Sequence, residues 1–133
     1  MTDMELILEH YKNPLNKGIL KKPDITHKEK NPSCGDEIAI FVKLKNKKIA
    51  EIRFDGYGCA ISQAASSLIT EFVKGKTLDE VLRLSKKDVL ELLGIDVAPL
   101  RIKCAMLGLR VLQRGILQYT GMKKTDISLS EIG

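Results

Sequence analysis

The chain has 133 residues, a formal net charge of +5, 44% apolar residues and 29% charged residues. This length is enough for one domain with its own core, and the composition is that of a soluble globular protein, which argues against a disordered or membrane-spanning chain. The acidic N-terminus lacks the basic and apolar regions of a secretory signal. We therefore expect one cytoplasmic domain over residues 1–133, with a loosely ordered tail at 123–133.

Lysines are concentrated in two stretches, at residues 17–30 and 43–48. A basic patch of this kind could bind nucleic acid or an acidic protein. The three Phe and three Tyr residues are scattered, however, and do not form a stacking platform among the lysines. We interpret the lysines as a solvated surface and expect neither a nucleic-acid nor a membrane partner.

The first element is a predicted amphipathic helix. Thr2 and Glu5 have the spacing of a capping box, and the apolar residues from Met4 to Tyr11 supply one buried side. The Asn-Pro pair at 13–14 ends it. Residues 13–33 are polar, basic and interrupted by proline, which predicts a loop lying over the domain.

A period of two begins after Asp36 and predicts two strands. Ile38, Ile40 and Val42 alternate with less apolar neighbours, and a second alternation runs from 49 to 55. The turn at 45–47 joins them as a hairpin. Residues 57–61 are interpreted as a short third strand.

Four helices are predicted to follow. The first begins at Ser62 with small side chains and ends at Gly75; two short capped helices cover 77–84 and 85–93; the last starts near Pro99 and runs to about Tyr119. Helix, antiparallel strands and then helices indicate the α+β class. We expect a small antiparallel three-stranded sheet packed against about five helices, with a long C-terminal helix.

The chemistry is suggested by three cysteines at the ends of predicted elements. Cys34 and Asp36 enter the first strand, Cys59 lies between sheet and helix, and Cys104 lies in the first turn of the last helix. Three thiols cannot all pair as internal disulfides. Three thiolates and one carboxylate complete a four-ligand set for a metal ion or an iron–sulfur cluster.

The surroundings of Cys104 favour its thiolate, the form that binds metal or attacks sulfur. The side chain lies near a predicted helix N-terminus, beside Arg101 and Lys103. We therefore take Cys104 as the first candidate for a nucleophilic thiolate, and Cys34, in its glycine-containing loop, as the second. A carboxylate is a harder ligand than a thiolate, so Asp36 should make the site release a cluster more readily.

The cysteine segments resemble the U-type iron–sulfur cluster assembly scaffolds, the family of IscU, SufU and the N-terminal domain of NifU. The resemblance covers roughly residues 3–120, and it is carried by 7–14 (ILEHYKNP), 31–36 (NPSCGD), 56–62 (GYGCAIS), 62–68 (SQAASSL) and 103–105 (KCA).

This resemblance implies a compact α+β scaffold protein, not an enzyme, that builds a labile [2Fe–2S] cluster. Sulfur would come from a cysteine desulfurase as a persulfide, and the cluster would pass to acceptor apoproteins. Cys34, Cys59 and Cys104 would be cluster ligands, with Asp36 ligating or tuning the cluster. The family also binds zinc at these positions, and a homodimer around the cluster and a monomer are both compatible with the ligand set.

Two departures from the family pattern leave the branch open. IscU proteins have a histidine at the position of Lys103, and a lysine there resembles the SufU branch. The insertion that SufU proteins carry between the second and third cysteines is missing, however. The IscU chaperone-recognition motif is altered at 97–101 (VAPLR).

Three alternatives to the cluster scaffold remain at this point. The first is a zinc-bound sulfur acceptor of the SufU kind, and the second is a structural zinc domain. The third is an enzyme with a cysteine nucleophile, which requires a histidine base; His10 and His27 are both expected at the surface.

Overall fold

The computed structural model describes residues 3–31 and 35–121. The predicted cap at Thr2, Cys34 and the predicted tail at 123–133 lie outside these residues. The described chain contains α1 (Asp3–Lys12), β1 (Ile25–Asn31), β2 (Asp36–Lys45), β3 (Lys48–Tyr57), α2 (Ala60–Phe72), α3 (Leu78–Leu82), α4 (Lys86–Leu93), a 3₁₀ turn (Pro99–Arg101) and α5 (Ile102–Thr120). The predicted α+β class is confirmed.

The sheet is antiparallel and three-stranded, in the order β1-β2-β3. Its third strand is β1, where we predicted a loop. Inward-facing positions of β1 hold His27 and Glu29, and outward-facing positions hold Thr26, Lys28 and Lys30. Inward-facing and outward-facing positions of β1 therefore alternate, but most of them hold charged or polar residues, so a search for alternating apolar residues does not detect the strand.

The predicted third strand at 57–61 is wrong. Tyr57 is the last residue of β3, and α2 already begins at Ala60, two residues before the predicted start. Gly56, the residue before the end of β3, has a φ of +126°, a backbone conformation that favours glycine.

A register shift in the β2–β3 hairpin changes the buried face of β3. Lys43 lies opposite Glu51, but Leu44 lies opposite Ile49, so Ala50 is the extra residue of a bulge. Ile49 is consequently buried together with Ile52 and Phe54, although simple alternation places it on the opposite face.

The short helices begin where their capping pairs predicted. The Thr77 hydroxyl accepts a hydrogen bond from the Glu80 amide (3.2 Å), and the Glu80 carboxylate accepts one from the Thr77 amide (3.1 Å). Ser85 and Asp88 repeat the pattern at α4. These two bonds per helix satisfy amide groups that would otherwise lack partners.

Helix α5 packs against both the sheet and α2 and forms the centre of the core. The contact with α2 is close, because a Cβ atom at Gly108 would lie 2.6 Å from the Ser66 hydroxyl oxygen. Close packing brings the N-terminal ends of α2 and α5 to the same end of the domain as the start of β2. No helix among the described residues is long and apolar enough to cross a membrane.

Candidate metal centre

Three of the four predicted ligands converge on one point. Asp36, Cys59 and Cys104 each offer a ligand atom, and these atoms all lie within 4.8 Å of one another. In a tetrahedral zinc site with Zn–S bonds of about 2.3 Å, ligand sulfurs are about 3.8 Å apart. A small contraction would therefore place the three atoms around one metal ion, so the donor set and its geometry fit such a group.

Each ligand lies at the end of a different element. Asp36 is the first residue of β2, Cys59 is the N-cap of α2, and Cys104 lies in the first turn of α5. Asp36 and Cys104 are each 1% exposed, whereas Cys59 is half-buried. The candidate site therefore has two buried side chains and one more accessible sulfur.

The Asp36 carboxylate is held by the chain that carries Cys59. Its Oδ1 accepts a hydrogen bond from the Cys59 amide (3.0 Å), and its Oδ2 lies 3.7 Å from the Cys59 Sγ. A buried carboxylate is costly without such bonds. The amide contact fixes the carboxylate beside the sulfur before any metal arrives.

Gly58 provides the space for this contact. A Cβ atom at this position would lie 2.5 Å from Asp36 Oδ1 and 2.4 Å from the Ser62 hydroxyl oxygen. At these distances an added Cβ atom forces a neighbouring group to shift. The glycine therefore permits the close approach of the carboxylate to the backbone.

Arg101 supplies a positive charge at the rim. The pKa of its guanidinium is raised above its ordinary value, first by a hydrogen bond to Cys104 and then by the charges of Cys59 and Cys104. Three thiolates, one carboxylate and one Zn²⁺ carry a net charge of −2, which a neighbouring cation offsets. Sequence reasoning named both Arg101 and Lys103; the contact with the sulfurs is made by Arg101, and Lys103 is exposed.

Cys34 lies outside the described residues, so its role as a ligand stays a prediction. The chain on either side of it is described. The Gly35 amide donates to the Asn31 carbonyl (2.8 Å), and Asn31 pairs with Asp36 in the sheet. The loop that carries Cys34 thus starts and ends next to the Asp36 ligand.

Neither histidine belongs to the metal-ligating group. His10 Nδ1 lies 2.7 Å from the Ser67 hydroxyl, and His27 Nε2 lies 2.8 Å from a Glu29 carboxylate oxygen. Both were expected at the surface, but both are only partly exposed. Their partners lie on α2 and β1, away from the sulfurs, which leaves the described thiols without a histidine base.

Sequence reasoning missed one residue next to the site. Lys17, interpreted as one of many surface lysines, donates to the Gly56 carbonyl (2.7 Å) and to the Gln63 side-chain oxygen (2.9 Å). Burial lowers its pKa, and the charge of Asp55 opposes that shift. No pattern in the sequence distinguishes this lysine from its neighbours.

Comparisons with known proteins agree with this geometry. The family model of the NifU-like N-terminal domain matches residues 2–126. The zinc-dependent sulfurtransferase SufU of Bacillus subtilis is 35% identical, over 88% of this chain and 90% of that protein. The iron–sulfur cluster assembly scaffold protein IscU of Escherichia coli is 34% identical, over 93% of this chain and 98% of that protein.

A solved structure has the same fold. It is that of a proposed iron–sulfur cluster assembly scaffold protein for the SUF system, from Fervidobacterium islandicum. The TM-score is 0.75 at 26% identity, over 84% of this chain and 94% of that one.

Proposed function

The chain belongs to the family of NifU-like N-terminal domains, and on that basis we propose that it is a scaffold for iron–sulfur cluster assembly. Iron and sulfur are its substrates, a labile [2Fe–2S] cluster is its product, and acceptor apoproteins receive that cluster. The observation that supports this proposal most directly is the convergence of Asp36, Cys59 and Cys104 within 4.8 Å.

The donor set suits a cluster that must leave again. Thiolates are soft ligands that bind iron–sulfur cores well, whereas a carboxylate is harder. Asp36 is buried and already bonded to the Cys59 amide, so it keeps a good hydrogen-bond partner when it lets go of iron. Release at the Asp36 position therefore costs less than release of a thiolate.

Sulfur arrives by thiol–persulfide exchange with a cysteine desulfurase. A thiolate of the scaffold attacks the terminal sulfur of the donor's persulfide; a new S–S bond forms, the donor's S–S bond breaks, and the donor cysteine leaves as a thiolate. Cys104 is our first candidate for the attacking thiolate, and Cys34 is the second. Because Cys104 is 1% exposed, its attack requires the chain around it to move.

Each sulfur delivered in this way must be reduced to sulfide. Two such sulfurs take up four electrons; two ferrous ions supply two of them as they become ferric, and an external electron donor supplies the other two. Cysteine, ferrous iron, a desulfurase and a reductant are therefore the components that the assembly reaction needs.

The alternative function is that of a zinc-bound sulfur acceptor. It is favoured by the 35% identity with the zinc-dependent sulfurtransferase of B. subtilis. Asp36, Cys59 and Cys104 would hold the ion, which would keep the sulfurs deprotonated until one of them is displaced. The protein would then carry sulfur and build no cluster.

One experiment separates the two functions. Protein purified without oxygen is incubated with ferrous iron, cysteine, a cysteine desulfurase and dithiothreitol, and its visible absorption is recorded together with its iron, sulfide and zinc content. A scaffold develops sulfide-to-iron charge-transfer bands and equal amounts of iron and sulfide. Protein that keeps one zinc ion and stays colourless contradicts the scaffold function and supports the sulfur acceptor.

The role of Asp36 is tested by Asp36→Ala. We expect the variant to form the cluster but to transfer it to an apo-ferredoxin about tenfold more slowly, because the readily released ligand is gone. The measurement is the rate at which the acceptor's circular dichroism appears. Asp79→Ala, which removes an acidic residue from α3, serves as the control; equal rates for the two variants would remove Asp36 from the mechanism.

A further inference from the structure

The segment that follows α1 lies between β3 and α2 and is bonded to both. On one side, the Asn16 carbonyl accepts from the Phe54 amide (2.9 Å), and the Gly18 amide donates to the Phe54 carbonyl (2.8 Å). On the other side, the Leu15 amide donates to the Ser67 hydroxyl on α2 (2.7 Å). The segment is therefore fixed in position relative to both elements.

Lys17 in this segment joins the two sides of the turn that carries Cys59. Its ammonium donates to the Gly56 carbonyl, three residues before Cys59, and to the Gln63 side chain, four residues after it. We call these two hydrogen bonds the Lys17 bridge. The Lys17 ammonium also lies over the Phe54 ring, 5.0 Å from its centre.

The bridge crosses the short turn between the end of β3 and the start of α2. Gly56 and Gly58 flank Tyr57, and glycines give the backbone freedom that other residues lack. At the N-cap of α2, the Cys59 side chain makes no capping hydrogen bond. A charged donor that holds both ends of the turn limits how far Cys59 can move from Asp36.

We propose that Lys17 is a positioning residue of the metal centre. By holding Gly56 and Gln63, it keeps the Cys59 sulfur and amide within reach of Asp36 and so sets how tightly the centre binds a metal ion. The inference rests on the proposed function, because it assumes that Asp36, Cys59 and Cys104 bind metal. It concerns affinity and geometry, and it is independent of whether a cluster is later assembled.

The test uses Lys17→Met, which keeps an unbranched apolar side chain and removes the ammonium. Lys17→Arg keeps the charge. Lys76→Met is the matched control, because the Lys76 ammonium lies 4.5 Å from the Phe72 ring in the same kind of contact but has no bond to the ligand turn among the described contacts. For each full-length variant we would measure Zn²⁺ affinity by chelator competition, the visible spectrum with Co²⁺, and urea unfolding without metal.

We expect Lys17→Met to weaken Zn²⁺ binding about tenfold and to alter the thiolate-to-Co²⁺ charge-transfer bands. Lys17→Arg should keep part of the Zn²⁺ affinity and part of the wild-type Co²⁺ spectrum. Lys76→Met should change neither, whatever it does to the urea midpoint. The inference is overturned if Lys17→Met binds Zn²⁺ with wild-type affinity and gives the wild-type Co²⁺ spectrum, or if Lys76→Met weakens binding as much.

A second variant covers the case in which Lys17→Met does not fold. Gln63→Met removes the acceptor on α2 and leaves the bond to Gly56 intact; the Gln63 Nε2 is buried and has no hydrogen-bond partner among the described residues, so little else is lost. We expect a weaker effect in the same direction, and wild-type affinity in this variant would count against the bridge.

Failure of the bridge and failure of the proposed function have different signatures. Wild-type protein that binds neither Zn²⁺ nor Co²⁺ overturns both. Wild-type protein that binds metal but builds no cluster overturns the scaffold function alone, and the comparison of Lys17→Met with Lys76→Met then still decides the role of Lys17.

Discussion

At the scale of single residues, the candidate site depends on the absence of a Cβ atom at Gly58. The space beside Gly58 is filled by the Asp36 carboxylate and the Ser62 hydroxyl, each of which lies closer than 3.0 Å to where a Cβ would be. An added methyl group must displace one of these side chains or the backbone. The carboxylate that accepts from the Cys59 amide is the group most directly in its path.

Gly58→Ala tests this dependence. We expect Zn²⁺ affinity to fall about tenfold to a hundredfold, because the displaced carboxylate no longer faces the sulfurs. Chelator competition gives the affinity, and urea unfolding of the metal-free protein gives the stability.

Gly75→Ala is the control for that variant. Its φ is +82° and no atom lies near its Cβ position, so alanine there costs stability through the backbone alone. The expected result is lower stability with unchanged Zn²⁺ affinity. A similar loss of affinity in both variants would show that general destabilisation, and not the Asp36 carboxylate, weakens the site.

The sequence predicted which residues converge better than it predicted their surroundings. Asp36, Cys59 and Cys104 were identified because unusual residues at element ends indicate chemistry and not packing, and the structure brings them together. The Lys17 bridge could not be predicted, since it depends on which of many lysines approaches the Gly56 carbonyl in three dimensions.

At the scale of elements, α3 has five residues and depends strongly on its N-terminal cap. The Glu80 carboxylate accepts hydrogen bonds from the Thr77 amide and hydroxyl, and these bonds lower the pKa of Glu80 below its ordinary value. A lowered pKa in the folded state means that the ionised carboxylate stabilises the fold above pH 4.5. That contribution is lost as the pH falls through the folded-state pKa.

Glu80→Gln should therefore lower the urea midpoint at pH 7 and have a smaller effect at pH 3, because the contribution of the ionised carboxylate declines as the pH falls below 4.5. Asp79→Asn removes a charge from the same first turn, and no contact of Asp79 with Thr77 is described. It should show a smaller difference between the two pH values. A Glu80→Gln effect that is equal at pH 7 and pH 3 would contradict the role of the ionised cap.

The helices were predicted more accurately than the strands, for a local reason. Helix ends are marked by signals that span only a few residues, such as the capping pair of Thr77 with Glu80 and the C-terminal glycine Gly94. These signals located the helix ends well. Strand β1 depends on pairing with β2 and packing against α5, which no local pattern shows. The sheet therefore had the predicted number of strands but not the predicted third strand.

At the scale of the whole molecule, Glu29 connects the edge strand β1 to α5. Its carboxylate pairs with Arg110 (3.7 Å) and Arg114 on α5 and with His27 on its own strand (2.8 Å). The Glu29 side chain is 17% exposed and that of Arg110 is 13% exposed, so the charges are largely removed from water. Largely buried charges depend on their partners.

Glu29→Ala should lower the free energy of unfolding by about 2–3 kcal/mol, because two arginines lose a shielded carboxylate. Urea unfolding followed by circular dichroism measures the change. Glu71→Ala removes an exposed carboxylate paired with Lys74 and should cost no more than about 0.5 kcal/mol. Equal costs for the two variants would mean that the Glu29 cluster adds nothing to the docking of β1.

The length of α5 offers a practical way to follow the loading of the site. Cys104 lies at one end of this helix and the exposed Tyr119 at the other, about 22 Å apart at the rise of an α-helix. A fluorophore carried by an unnatural side chain at position 119 would leave the three native thiols unmodified. It would also be near enough for resonance energy transfer to a cluster that absorbs visible light. Quenching of its fluorescence would then report cluster binding, and recovery of the fluorescence would report cluster release, with no label at the metal site.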